Sequence, residues 1–135
     1  MRVIRAVLSG SYHGDTAGLQ DAYDELATCG VQVISPHRLE FEDTSVLFVR
    51  DKAEKTMGAS ELERHHLSAI DQADFLWVHL ADGHLGTSTA FEVGYALAKK
   101  TAIFTNASIT EPGLSGFIHT VPSVYQAIKQ LRSDN

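Results

Sequence analysis

Short apolar runs alternate along this chain with stretches in which apolar residues recur every third or fourth position. Val3 to Leu8 is apolar and rich in β-branched residues, and Ser9-Gly10-Ser11 ends it, which predicts a strand buried on both faces. Leu19, Ala22, Tyr23, Leu26 and Ala27 then keep helical spacing, with Asp15 or Thr16 as N-cap and Gly30 as the stop. Val31 to Ser35 is a second strand, halted by Pro36. Residues 37–58 show no clear period, apart from the apolar piece Val46 to Val49. Ser60-Glu-Leu-Glu63 matches a capping box, in which a serine and a glutamate three residues later satisfy each other's backbone donors, and opens a helix to about Ala73. Its apolar face is Leu62, Ala69, Ile70 and Ala73.

The remainder repeats the theme. Phe75 to Leu80 is a third buried strand, Thr87 to Lys99 a long helix, and Thr101 to Thr105 a fourth strand. Ile118 to Val121 reads as a fifth, before a last helix capped by Ser123 with Val124, Ala127, Ile128 and Leu131 inward. Parallel strands need crossovers, and right-handed crossovers put helices on both sides of the sheet. The pattern therefore predicts a single-domain α/β fold, a doubly wound, flavodoxin- or Rossmann-like parallel sheet of about five strands with helices on both faces. In such sheets a ligand sits beyond the carboxyl ends of the strands, near the switch in strand order. That rule selects three loops: Gly10 to Gly14, Ser35 to Arg38, which contains His37, and Asp82 to Gly86 with the helix after it.

Composition narrows the choice. At 135 residues with 44% hydrophobic positions, the chain suits one globular core. No apolar run is long enough to span a bilayer and the N-terminus does not read as a signal peptide, so a cytoplasmic protein with no membrane partner is expected. A net charge of -6 without a basic patch argues against duplex nucleic acid as a partner. The single cysteine, Cys29, reads as a small buried apolar residue.

The most informative stretch is Gly86-Thr-Ser-Thr-Ala-Phe-Glu92-Val-Gly94-Tyr95-Ala96. Thr87, Ser88 and Thr89 are candidate N-caps, and a carboxylate in the first turn beyond them would lie in the field of the positive helix end, which favours its ionised, nucleophilic form. The plain alternative is a solvated acid that complements the dipole. Against it stand the apolar neighbours Ala90, Phe91, Val93, Ala96 and Leu97, and a glycine at 94, whose propensity cost implies close approach of a strand or ligand.

Thr89-Ala-Phe-Glu92-Val-Gly94-Tyr95-Ala96, preceded by a strand and followed by Lys99-Lys-Thr-Ala-Ile-Phe104, resembles the signature of the nucleoside 2-deoxyribosyltransferase superfamily, which includes the 2'-deoxynucleoside 5'-monophosphate N-glycosidases. The order of elements agrees from Val3 to about Leu131. The resemblance implies a retaining displacement at C1' of a (deoxy)ribosyl group, with Glu92 attacking the anomeric carbon, expelling the base and being freed by a second base or by water. It implies a small-molecule nucleoside or nucleotide as partner, no cofactor, and a homodimer or higher homo-oligomer. Where the transferases commonly carry an acid six positions before the nucleophile, this chain has Gly86; where they carry an aspartate eight positions before the residue introducing strand three, it has His66. His66 lies on the inward helix face, as a core histidine or as the acid that protonates the departing base.

Gly10, Ser11, Tyr12, His37, Gly86, Ser88 and Ser115 complete the candidate substrate site. The Gly10 to Gly14 turn fits neither a P-loop nor a dinucleotide fingerprint, but its N–H groups and Ser11 can hold a sugar or phosphate oxygen while Tyr12 stacks on a base. Leu114 to Ile118 is similar to the segment by which the nucleotide hydrolases reach a phosphate, with the serine often donated across a subunit interface. His13, His37, His79 and His84 fall near strand ends without metal-ligand spacing, and no metal site is expected. Two other readings share this architecture: a nucleotide-binding or sensing module without turnover, and a phosphoribohydrolase of the cytokinin-activating type, for which Asp82-Gly-His-Leu-Gly-Thr87 is a partial loop match.

Overall fold

The structure, a computed structural model, describes residues 2–10, 15–36 and 58–133. These residues form five strands and four helices in the order β1 (Arg5–Gly10), α1 (Thr16–Thr28), β2 (Gln32–Ser35), α2 (Ala59–Gln72), β3 (Phe75–His79), α3 (Thr87–Ala98), β4 (Ala102–Thr105), β5 (His119–Thr120) and α4 (Val124–Ser133). The strands make one sheet, β2-β1-β3-β4-β5, and every neighbouring pair is parallel. This is the doubly wound, Rossmann-like arrangement, and its strand order reverses between β1 and β3.

The period-2 alternation of the strands divides the core in two. Ala6 and Leu8 of β1, with Phe75 and Trp77 of β3, pack on Leu19, Ala22 and Leu26 of α1 and on Val124, Ala127 and Ile128 of α4. Val7, Leu76, Val78 and Ile103 face the other way, onto Ile70 of α2 and Val93 and Ala96 of α3. The two layers are tied at their rims: the Glu25 carboxylate accepts from the Val124 N–H at 2.8 Å, and the Tyr95 hydroxyl donates to Asp71 at 2.8 Å, joining α3 to α2.

Four local expectations need correction. β1 starts at Arg5, with Val3 59% exposed, and does not stop before Ser9: Ser9 and Gly10 pair with Val78 and His79, so they belong to the sheet and not to the turn. α2 is capped by Gly58, so Ser60 already lies inside the helix and forms no capping box with Glu63. α3 is capped by Gly86 and not by a hydroxyl, because Gly86 holds the extended conformation that the cap position requires and its carbonyl accepts from the Ala90 N–H at 2.9 Å. Cys29 is exposed, because it lies past the last turn of α1, where the chain leaves the helix through Gly30 at φ +81°. By contrast, Asp15 caps α1 through Gly18 at 3.0 Å, and Ser123 accepts from the Gln126 N–H at 3.3 Å, as the sequence pattern predicts.

Candidate active site

Alternation along β1 decides where the site lies. Val7 points to the α2/α3 side of the sheet, so Ser9, two residues on, points there as well, at the carboxyl edge beside the switch in strand order. Its hydroxyl donates to Glu92 Oε1 at 2.7 Å. Both partners are buried, Ser9 at 1% and Glu92 at 7% exposure.

From α2, His66 sends its ring into the same space. Nε2 lies 3.3 Å from Glu92 Oε1 and 3.2 Å from Ser9 Oγ, while Nδ1 lies 2.7 Å from Ser35 Oγ at the end of β2. His66 is thus a bridge across three elements and not a core residue packed among apolar neighbours. One turn earlier on the same helix, Glu63 lies near enough to Glu92 for each carboxyl to shift the other's protonation. Glu63 is the residue that sequence reasoning missed, because its spacing from Ser60 explained it as a capping partner. It bears on the Glu92 carboxyl instead, and its spacing from His66 was the signal that the two share a helix face.

The electrostatics of the two glutamates diverge. Burial disfavours a charged Glu92, but the electrostatic influence of the His66 ring and hydrogen-bonding contributions from His66, Glu63 and Ser9 outweigh it and hold the carboxyl down at about 2. Burial raises Glu63, and its hydrogen bond to Glu92 and the Glu92 charge push it further, to about 8. The two shifts run in opposite directions, so the pair favours charge on Glu92 over charge on Glu63. The helix dipole plays a smaller part than the sequence implies, because α3 begins at Thr87 and Glu92 lies in its second turn, where the field of the helix end has faded.

The other candidates divide. Gly10 has a packing role, since a Cβ there would meet the His79 carbonyl oxygen at 2.9 Å and Leu19 at 3.2 Å. Gly86 and exposed Ser88 stand at the mouth of α3, one turn before Glu92. Ser115 is exposed, donates to the Pro112 carbonyl at 3.1 Å and does not join the cluster. Ser11, Tyr12 and His37 lie outside the described residues. Gly94 is not a point of close approach: it is exposed, and a Cβ there would have no neighbour within 4 Å.

The remaining edge histidines have carboxylate partners, His79 with Asp15 at 2.9 Å and His84 with Glu111 at 2.9 Å. The His79 hydrogen bond and the Gly18 N–H both lower Asp15, which pins the start of α1 to the end of β3. Among the described residues no group of three or more His, Cys, Asp or Glu side chains is arranged to hold a metal ion, and no helix is long and apolar enough to cross a membrane. No protein-family model matches this chain, and no curated protein matches it.

Proposed function

We propose that this chain is a nucleoside 2-deoxyribosyltransferase-like enzyme that cleaves the N-glycosidic bond of a (deoxy)nucleoside or its 5'-monophosphate, by base transfer or hydrolysis, with Glu92 as nucleophile. One observation carries the reading: a buried glutamate held by the Ser9 hydroxyl and the His66 ring at the carboxyl edge of a doubly wound sheet, where such folds take their ligands. A carboxylate so placed is a ready nucleophile for an anomeric carbon, and the resemblance of the segment from Thr89 to Ala96 to the deoxyribosyltransferase signature points the same way.

In this reading Glu92 attacks C1', the bond to the base breaks, and a glycosyl ester forms. A second base or water then attacks C1' and releases Glu92. Ser9 and His66 are positioning residues: their hydrogen bonds aim Glu92 Oε1 and keep it charged. Gly86 and Ser88, at the mouth of α3, meet the substrate; the same role is proposed for Ser11, Tyr12 and His37 from the sequence. The proposal extends to a homo-oligomer in which Ser115, exposed here, serves a neighbouring subunit.

The test is incubation with a panel of nucleosides and nucleoside 5'-monophosphates, with free base followed by chromatography. Wild type is expected to release base, and Glu92→Gln to lose on the order of a thousandfold or more in rate, as removal of a covalent nucleophile does. Tight binding without base release would replace the enzyme with a nucleotide-binding module.

A further inference from the structure

Ser35 is buried and takes no part in the displacement, yet the sheet departs from its regular register to place it. Ala6 of β1 pairs with Val33 of β2, but Val7 pairs with Ser35, so Ile34 is an extra residue between two ladder partners. Val33 packs in the layer of α1, and strict alternation would send Ser35 the same way. The irregularity turns Ser35 to the α2 side instead, where Val7 and Ile34 also pack. There its hydroxyl meets His66 Nδ1 at 2.7 Å, on the opposite edge of the ring from the nitrogen that faces Glu92. Irregularities of this kind re-aim side chains beside active sites.

Donors and acceptors alone place the protons of this cluster. Ser9 Oγ gives its one proton to Glu92 Oε1, so toward His66 Nε2, 3.2 Å away, it can only accept. Glu92 Oε1, 3.3 Å from the same nitrogen, is an acceptor too. A bare Nε2 would set its lone pair against both oxygens, so Nε2 carries a hydrogen. A neutral imidazole has a single N–H, which leaves Nδ1 bare, and the Ser35 hydroxyl is placed to donate to it. When the ring takes a second proton it goes to Nδ1, and Ser35 Oγ then accepts. A hydroxyl serves both states without any turn of the ring.

We propose that Ser35 is a positioning residue that fixes His66 as the Nε2–H tautomer and so keeps an N–H donor on the attacking oxygen of Glu92. Its consequence for catalysis rests on the glycosidic reading above, whereas the tautomer does not. Without the Ser35 hydroxyl, Nδ1 loses its donor. The other tautomer, which turns a lone pair toward Glu92, then becomes accessible.

The tautomer is read by NMR of the protein labelled with 15N-histidine, at about pH 8, above the ordinary histidine range. The chain has seven histidines, and the His66 signals are those missing from His66→Asn. Wild type is expected to show a protonated Nε2 and a bare Nδ1, and Ser35→Ala a mixture of both tautomers. On a deoxynucleoside that the wild type cleaves, Ser35→Ala is expected to lower kcat about tenfold, as loss of one hydrogen bond does, with KM changed less than about twofold. A wild-type His66 protonated on Nδ1 would overturn the proposal, as would a Ser35→Ala ring that stays wholly in the Nε2–H form. A rise in KM alone would also overturn it, since Ser35 would then be acting on substrate binding. Should Ser35→Ala fail to fold, Ser35→Cys, similar in size but only a weak donor, takes its place. A mixed tautomer there supports the role of Ser35, and a ring identical to wild type overturns it. A wild type that releases no base overturns the glycosidic reading alone, because the NMR result needs no substrate.

Discussion

The Glu92 carboxyl is governed by single hydrogen bonds, and each has a separate consequence. Removing the Ser9 hydroxyl in Ser9→Ala takes away a 2.7 Å donor to a buried charge, an interaction worth about 1.5 to 3 kcal/mol. The same bond lowers the Glu92 pKa, so its loss must raise that pKa. With Glu92 as nucleophile, the expected result is a fall in kcat/KM of about tenfold or more, each 1.36 kcal/mol being tenfold in rate, and an acid limb displaced to higher pH. A pH series of kcat/KM for wild type and Ser9→Ala checks both. Loss of rate with an unmoved acid limb would remove Ser9 from the control of Glu92. His66→Asn is expected to move the same limb in the same direction, because it removes the ring that lowers the Glu92 pKa.

Two glycines on neighbouring elements look alike in the sequence and behave oppositely in the structure. At Gly10, β1 and α1 approach so closely that an added Cβ would press on a backbone oxygen of β3, which cannot move aside as a side-chain tip can. Gly10→Ala is therefore expected to cost about 1 to 3 kcal/mol, the usual penalty of overpacking, seen as a lower midpoint in urea. Gly94 faces open solvent inside α3, where the only difference from alanine is helix propensity. Gly94→Ala is expected to stabilise by about 1 kcal/mol, a rise of roughly 4 °C in Tm. A destabilised Gly94→Ala would mean that something covers this helix face in solution. Phe91 at 58% exposure and Leu97 at 44% lie on the same helix.

Stability against pH integrates the site over the molecule. Glu63 is raised from 4.5 to about 8, so the folded state holds a proton that the unfolded chain releases. Its contribution is full below pH 4.5 and is lost as pH rises toward 8. Glu92 is lowered from 4.5 to about 2, so its contribution is present above 4.5 and lost as pH falls toward 2. Urea unfolding at a series of pH values should show both slopes in wild type. Glu63→Gln should flatten the decline between 4.5 and 8 and leave the acid side in place. A decline of the same size in the variant would assign it to other groups.

Much of this was legible before any coordinates. Alternation of buried strands with helices of period 3.6 is a local signal, because each element must bury one face or both, and from it followed the parallel sheet, the helices on both sides and the edge that carries Glu92. Motif spacing likewise singled out Glu92 and placed His66 on an inward helix face. Side-chain pairing across elements was not legible. Ser9 read as the start of a turn, Glu63 as half of a cap and Gly94 as a close contact, each a sound local inference that tertiary contacts overrode. Which residues meet Glu92 depends on how the register of β1 aims alternate side chains and on how α2 lies against α3. Neither is written in any window of neighbouring residues. The charge states follow the same division: a carboxylate's type is local, but whether it keeps its proton is set by groups that the folded chain brings within about 3 Å from distant positions.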